Sequence, residues 1–181
     1  MKPVPILFIM DTYYTIDEKY LQAVEEYQYG EAPKSLQLLN EIITAEPLYA
    51  RAYYQLGLIY YYQLKDYQQA GYCFKTCTEL EPTFPDVYVH YLKLLGFLNM
   101  EKALEAASLK ALQTPGVDTF TVHAILGKHA EKTQKLTLAR SYYEQAYTVA
   151  TRKSSMEYIE ESLERLEAKQ QRAAAYRYSL L

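Results

Sequence analysis

Residues 52–82, AYYQLGLIYYYQLKDYQQAGYCFKTCTELEP, set large, small and helix-stopping side chains in an order that leaves few folds open. Tyr53, Leu56 and Tyr60 fall at i, i+3 and i+7, one face of a helix, and Gly57 removes the side chain where a second helix must come close. Ala70, Phe74 and Cys77 follow at spacings of four and three, so small, large and small residues line the helix face that enters this notch. Pro82 ends that second helix, since it has no amide hydrogen and disfavours helical geometry in the residue before it. The segment predicts one antiparallel helical hairpin.

The pattern returns. His123, Leu126 and Gly127, then Ala139, Tyr143 and Ala146, repeat the spacing, with the two glycines seventy residues apart, twice a step of thirty-five. Pro47, Pro82 and Pro115 punctuate the chain at intervals of 35 and 33. Residues 16–47 lack the Leu-Gly pair but carry Gly30 and Glu31 at the turn, Pro33 in the first turn of the second helix, then Leu39, Ile42 and Pro47. Residues 84–115 keep Tyr88, Tyr91, Leu95 and Ala103, with Leu92 in the glycine slot, so their two helices are expected to stand further apart. The order Tyr53-x2-Leu56-Gly57-x2-Tyr60, Ala70-x3-Phe74, Pro82 resembles the tetratricopeptide repeat, with Tyr replacing the leading Trp and one extra residue in the inter-helix turn. The expected fold is all-α, a solenoid of about four antiparallel hairpins over 16–47, 48–82, 84–115 and 117–151.

The ends fall outside the repeat. Ser154-x-x-Glu157 matches a capping box ahead of Met156, Ile159, Leu163 and Leu166, which predicts a capping helix and tail over 154–181 with an acidic outer side. Residues 1–15 contain Pro3 and Pro5 and the short apolar run ILFIM, and are expected to form an extended strap. As a secretory leader the run is poor: prolines interrupt it and no small-x-small cleavage site follows before Asp11. It is also too short to span a bilayer, which takes about 20 apolar residues. A cytoplasmic protein without membrane insertion is the expectation.

Composition and motifs narrow the function classes. A formal net charge of −3 disfavours general nucleic-acid binding, which needs a concentrated basic surface. Cys73 and Cys77 lie one helical turn apart and supply half of a structural zinc site at most, so packing is the simpler role and no metal or cofactor is expected. His90, His123 and His129 share no nucleophile motif with a Ser or Cys, and the single glycines assemble no phosphate loop. No catalytic residue is assigned.

Tyrosine is the unusual component, 21 of 181 residues, concentrated in the first half. The resemblance implies that positions two, five, nine, twelve and thirteen of each repeat line a concave groove. Those positions hold Tyr20, Val24 and Tyr27; Arg51, Tyr54, Leu58, Tyr61 and Tyr62; then Val89, Lys93, Ala124, Lys128 and Glu131. The groove is thus expected to be aromatic at one end and basic at the other. Family members that clamp a terminal carboxylate carry Lys and Asn where this chain has Tyr20 and Val24, or Tyr54 and Leu58, so that ligand is disfavoured. The expectation is a non-enzymatic scaffold or adaptor for an apolar or amphipathic segment of another protein. Two alternatives stand beside it: a secretion-type chaperone, and a homodimer whose groove is filled by ILFIM or the tail YRYSLL. Tyr53, Tyr60, Tyr67, Tyr72 and Tyr143 fall on core or inter-repeat faces, where gap-filling explains them equally well.

Overall fold

The computed structural model describes residues 15–178. The ILFIM run of the expected strap, and residues 179–181 of the tail, lie outside the described residues. Within them the chain forms nine α-helices and no strand: α1 (Ile16–Tyr29), α2 (Ala32–Ala45), α3 (Ala50–Leu58), α4 (Tyr67–Leu80), α5 (Pro85–Phe97), α6 (Glu101–Gln113), α7 (Thr119–Lys132), α8 (Leu136–Val149) and α9 (Lys153–Tyr178). Consecutive helices pair as hairpins, α1 with α2 through α7 with α8. Each hairpin packs on the next, α5 also meets α7, and α9 covers α8. The core is accordingly serial, with one buried cluster joining the first two hairpins, a second joining the middle ones and a third joining the last hairpin to α9.

Side-chain size sets the close approaches. A Cβ at Gly57 would lie 2.5 Å from the Phe74 ring, and one at Gly127 would lie 2.7 Å from the Tyr143 ring, so hydrogen is the only side chain each site admits without displacing a buried aromatic. Seven residues before the inter-helix turn of the first hairpin stands Ala23, fully buried, and the second helix offers Leu39 at the slot of Phe74. In the third hairpin the sizes exchange: Leu92 is fully buried on the first helix and Ser108 is the buried residue at the slot of Phe74 and Tyr143. The backbones of α5 and α6 pack less closely along their length than those of the other hairpins, in line with the bulk of Leu92. The slot of Ala70 and Ala139 is filled here by Leu104, also buried, so the Ala103 assigned from sequence is one residue out of register.

The extra residue of the second hairpin lies in the helix and not in the turn. Lys65, Asn99 and Gln134 are left-handed, at φ 56, 56 and 61°, and each is followed by the N-cap residue of the second helix, so the turn is the same in all three. From Leu92 to Asn99 and from Gly127 to Gln134 is seven residues, whereas Gly57 to Lys65 is eight. The surplus is taken up by α3 widening into a π-helical segment, Ile59–Leu64, whose end is closed by the Asp66 amide donating to the Tyr60 carbonyl at 2.9 Å.

The hairpins are tied to their neighbours by a recurring bond. The Tyr53 hydroxyl donates to the Pro47 carbonyl at 3.1 Å, and the Tyr88 hydroxyl donates to the Pro82 carbonyl at 2.7 Å, so each tyrosine fastens its helix to the linker six residues earlier. His123 takes this position in the last hairpin, and its buried Nδ1 has no partner. A capping box is present at Thr15 and Glu18, where the hydroxyl accepts from the Glu18 amide and the carboxylate accepts from the Thr15 amide at 2.8 Å. The box expected at Ser154 does not form: α9 begins at Lys153, which puts Ser154 inside the helix, and Glu157 pairs with Lys153 at 3.5 Å.

Candidate functional site

The first helices of successive hairpins present one side-chain face, and its two halves differ. Across α1, α3 and α5 it is aromatic. Tyr54 sits edge-on to Phe84 with centroids 5.1 Å apart, and lies 5.9 Å from the His90 ring. His90 also meets Tyr62 edge-on at 5.7 Å, and its Nδ1 hydrogen bonds with the Tyr62 hydroxyl at 3.0 Å. Tyr61 packs on Tyr62 at 4.6 Å and on Tyr67 at 5.8 Å, and Tyr67 packs on Phe97 at 4.9 Å. At the outer end Tyr20 tilts against Tyr49, whose hydroxyl donates to Asp17 at 2.7 Å. Edge and tilted geometries at these separations are attractive through the ring quadrupoles, so the row holds its own shape. Burial pushes the Tyr54 phenol well above its usual range, and burial followed by the nearby Lys93 charge pushes the His90 imidazole down. A neutral imidazole is the form that fits among these rings.

Across α5, α7 and α9 the face opens into a cleft of about 510 Å3. Its walls are Phe97, Phe120, Ile125 and Tyr158, with Tyr61 at the border shared with the aromatic half. Lys93, Lys128 and Lys132 line it, together with His129, of which 8% is exposed. Neither ring nitrogen of His129 has a hydrogen-bond partner, and the Lys132 ammonium donates to the Phe97 carbonyl at 3.3 Å.

The residues expected in the groove divide accordingly. Tyr61, Lys93, Ala124 and Lys128 line the cleft, and Tyr20, Tyr54 and Tyr62 belong to the aromatic contacts described above. Val24, Tyr27 and Val89 are half-buried on the same helices. Leu58 is buried in the cluster that also takes in Tyr27, Tyr54 and Tyr61, so its side chain belongs to the core and not to the groove surface. Arg51 stands apart from the cleft, 4.0 Å from Glu81 and over the Phe84 ring at 5.8 Å. Tyr72, expected on a packed face, is 60% exposed.

Glu131 is withdrawn from the groove by its own partners. Its carboxylate accepts from Arg165 at 2.8 and 2.9 Å, from Lys169 at 2.7 Å and from the Tyr143 hydroxyl at 2.9 Å. Those bonds, the Arg165 pair foremost, hold its pKa down at about 2 despite burial. The cluster ties α7 to α8 and α9, and thereby seats Tyr158 beside the cleft.

His90, Phe97, Thr121, Lys132 and Tyr158 were not anticipated. The position rule, carried through the later hairpins, reaches Gly96, Phe97, Thr121 and Lys132. His90 and Tyr158 have no repeat position that signals them. Cys73 and Cys77 are buried free thiols, each pushed up to about 12 by desolvation, which makes them packing residues with little thiolate. Among the described residues no group of three or more His, Cys, Asp and Glu side chains is placed to hold a metal, and no helix is long and apolar enough to cross a membrane.

Comparison with known proteins agrees with this architecture. A family profile described as tetratricopeptide repeat matches residues 50–84. No curated protein matches the sequence. Among solved structures the chain is similar to PilW, a widely conserved type IV pilus biogenesis factor, with a TM-score of 0.62 and 21% identity over 74% of this chain. It spans 61% of that PilW chain. The MamA RS-1 ArsTM double mutant gives a TM-score of 0.72 at 16% identity, covering 91% of this chain and 90% of the other. TTC0263, a thermophilic TPR protein in Thermus thermophilus, gives 0.61 at 17%, covering 82% and 81%. Hairpin sizes, left-handed turns, profile and structural neighbours converge on one fold, a stack of antiparallel helical hairpins in which residues 50–84 match the tetratricopeptide repeat.

Proposed function

We propose that this chain is a non-enzymatic interaction scaffold which holds an apolar or amphipathic segment of another protein along the first-helix face, in the cytoplasm as the sequence suggests. Stacked helical hairpins generate a long binding face without any catalytic machinery, and the fold supports that class of function. The observation that carries the finer reading is continuity: Tyr61 packs into the aromatic row and also lines the lysine cleft, so one bound segment can touch both halves. Tyrosine suits such a surface because it offers a large ring and a hydroxyl while losing little rotamer freedom. The description of PilW as a biogenesis factor accords with a scaffold.

The test is affinity purification with mass spectrometry on three proteins: wild type, Tyr61→Ala with Tyr62→Ala, and a control changed on exposed second-helix positions, Tyr72→Ser with Leu109→Ser. A partner retained by the control and lost from the double tyrosine variant supports the reading. Retention by both variants moves binding to another surface. A second copy of the chain recovered through the same face makes it a dimer interface instead.

A further inference from the structure

Resting on that reading, we infer that the bound segment is acidic as well as apolar, and that its carboxylates lie in the cleft between α5, α7 and α9. The cleft has three lysines and a histidine in its lining and no Asp or Glu. Overall composition does not explain this, because the chain holds 22 acidic residues against 19 Lys and Arg. Outside the cleft most described lysines meet glutamates, Lys19 with Glu41, Lys34 with Glu26, Lys75 with Glu79, Lys135 with Glu101, Lys153 with Glu157 and Lys169 with Glu131, while Lys65, Lys102 and Lys110 stand singly and do not share a hollow. Lys93, Lys128 and Lys132 form no ion pair with any described residue. Lys128 and Lys132 lie one turn apart on α7, and Lys93 holds in its hairpin the position that Lys128 holds in the next, so like charges converge on one hollow. Such an arrangement repels itself when empty and is relieved by anions.

His129 is the second, independent sign. It lines the cleft, is 8% exposed, and leaves both ring nitrogens without a partner. A buried polar group in that state costs free energy that a hydrogen-bonding ligand recovers. Thr121 apart, the remaining walls are apolar or aromatic, and the volume of about 510 Å3 falls within the range of specific ligand sites. Aromatic walls beside unpaired lysines match a peptide that alternates carboxylates with large apolar side chains. A nucleic-acid strand would instead meet the net negative charge of the chain. The two halves also set an orientation, with the apolar part of the segment on Tyr54, Tyr61 and Tyr62 and the acidic part on Lys93, Lys128 and Lys132.

Fluorescence anisotropy with the full chain tests this, using a labelled peptide alternating glutamate with phenylalanine and leucine, its glutamine counterpart, and a labelled oligo(dA) strand. The glutamate peptide should bind at least about tenfold more tightly than the glutamine peptide, with the margin shrinking at high salt. Lys93→Glu with Lys128→Glu should erase or reverse that margin; both side chains are exposed, so the variant should keep its wild-type circular dichroism. Equal affinity for the two peptides, a margin that persists in the lysine variant, no binding of the glutamate peptide, or tighter binding of oligo(dA) overturns the inference. If the glutamine peptide binds equally well and is lost with Tyr61→Ala and Tyr62→Ala, only the acidic assignment falls and the scaffold survives. If neither peptide binds and partner capture ignores the tyrosines, the scaffold reading falls as well.

Discussion

The two halves of the first-helix face handle their polar atoms in opposite ways. In the aromatic half, hydroxyls and rings answer one another: Tyr62 bonds His90, Tyr49 bonds Asp17, and Tyr54 leans on Phe84. In the cleft, three ammonium groups and an imidazole converge with no carboxylate among them. Glu131, the acid that falls on this side of α7, is turned away into Arg165, Lys169 and Tyr143. A wall of rings packed on one another would supply shape and area, whereas a hollow lined by lysines without acidic partners would supply selectivity. The chain builds both from the same helix row, and on the proposed reading specificity would rest with the C-terminal half.

Substitutions in each half should separate them. The largest effect is expected from Gly57→Leu, because even a Cβ there meets Phe74 at 2.5 Å. A loss of more than about 3 kcal/mol is expected, with hydrogen exchange rising in α1–α4 while α7–α9 stay protected, since repeat arrays unfold by neighbouring units. A wild-type melting curve would sink the packing assignment. Glu131→Gln comes next, at about 2 kcal/mol, since it leaves two half-exposed cations and a buried tyrosine poorly matched. The same carboxylate sets a pH dependence. Its pKa is held at about 2, below the unfolded value near 4.5, so its contribution is complete above that value and is lost as pH falls towards 2. Acid titration of wild type should show this loss and the Gln variant should not. The variant should also loosen α9, weakening the cleft before the aromatic wall. The smallest effect is a gain: at Gly71 the nearest atom to a new Cβ is Leu94 Cδ2 at 3.7 Å, so Gly71→Ala should add about 0.5–1 kcal/mol through helix propensity. Calorimetry showing a loss there would mean that α4 and α5 pack more tightly than 3.7 Å implies.

The fold class was legible because the contacts that make it are written as side-chain size at fixed spacing. Gly57 and Phe74, or Gly127 and Tyr143, state a close approach directly. What spacing cannot state is which neighbour covers a residue. Leu58 and Lys93 hold the same repeat position, yet one lies in the core beside bulky tyrosines and the other is exposed at the cleft. Glu131 was legible as a residue of the face, but its partners sit 34 and 38 residues later on a helix outside the repeat. The count from Gly57 to Ala70 revealed one surplus residue but not its location, because a wide helical turn and a longer loop give the same total. Thr15 and Ser154 both precede a glutamate by three, and the box forms only where the helix begins after the hydroxyl residue.

The exchange of sizes in the third hairpin disfavours pairing either of its helices with a helix of another hairpin. Were α5 to take the place of α3 in the hairpin with α4, Leu92 and Phe74 would compete for one space; were α3 to take the place of α5 against α6, Gly57 and Ser108 would leave it hollow. A polypeptide assembled from near-identical units otherwise has little to distinguish a correct neighbour from a distant one. Here volume sets the third hairpin apart from the other three, and transplanting it within this chain would succeed only by moving both of its helices together.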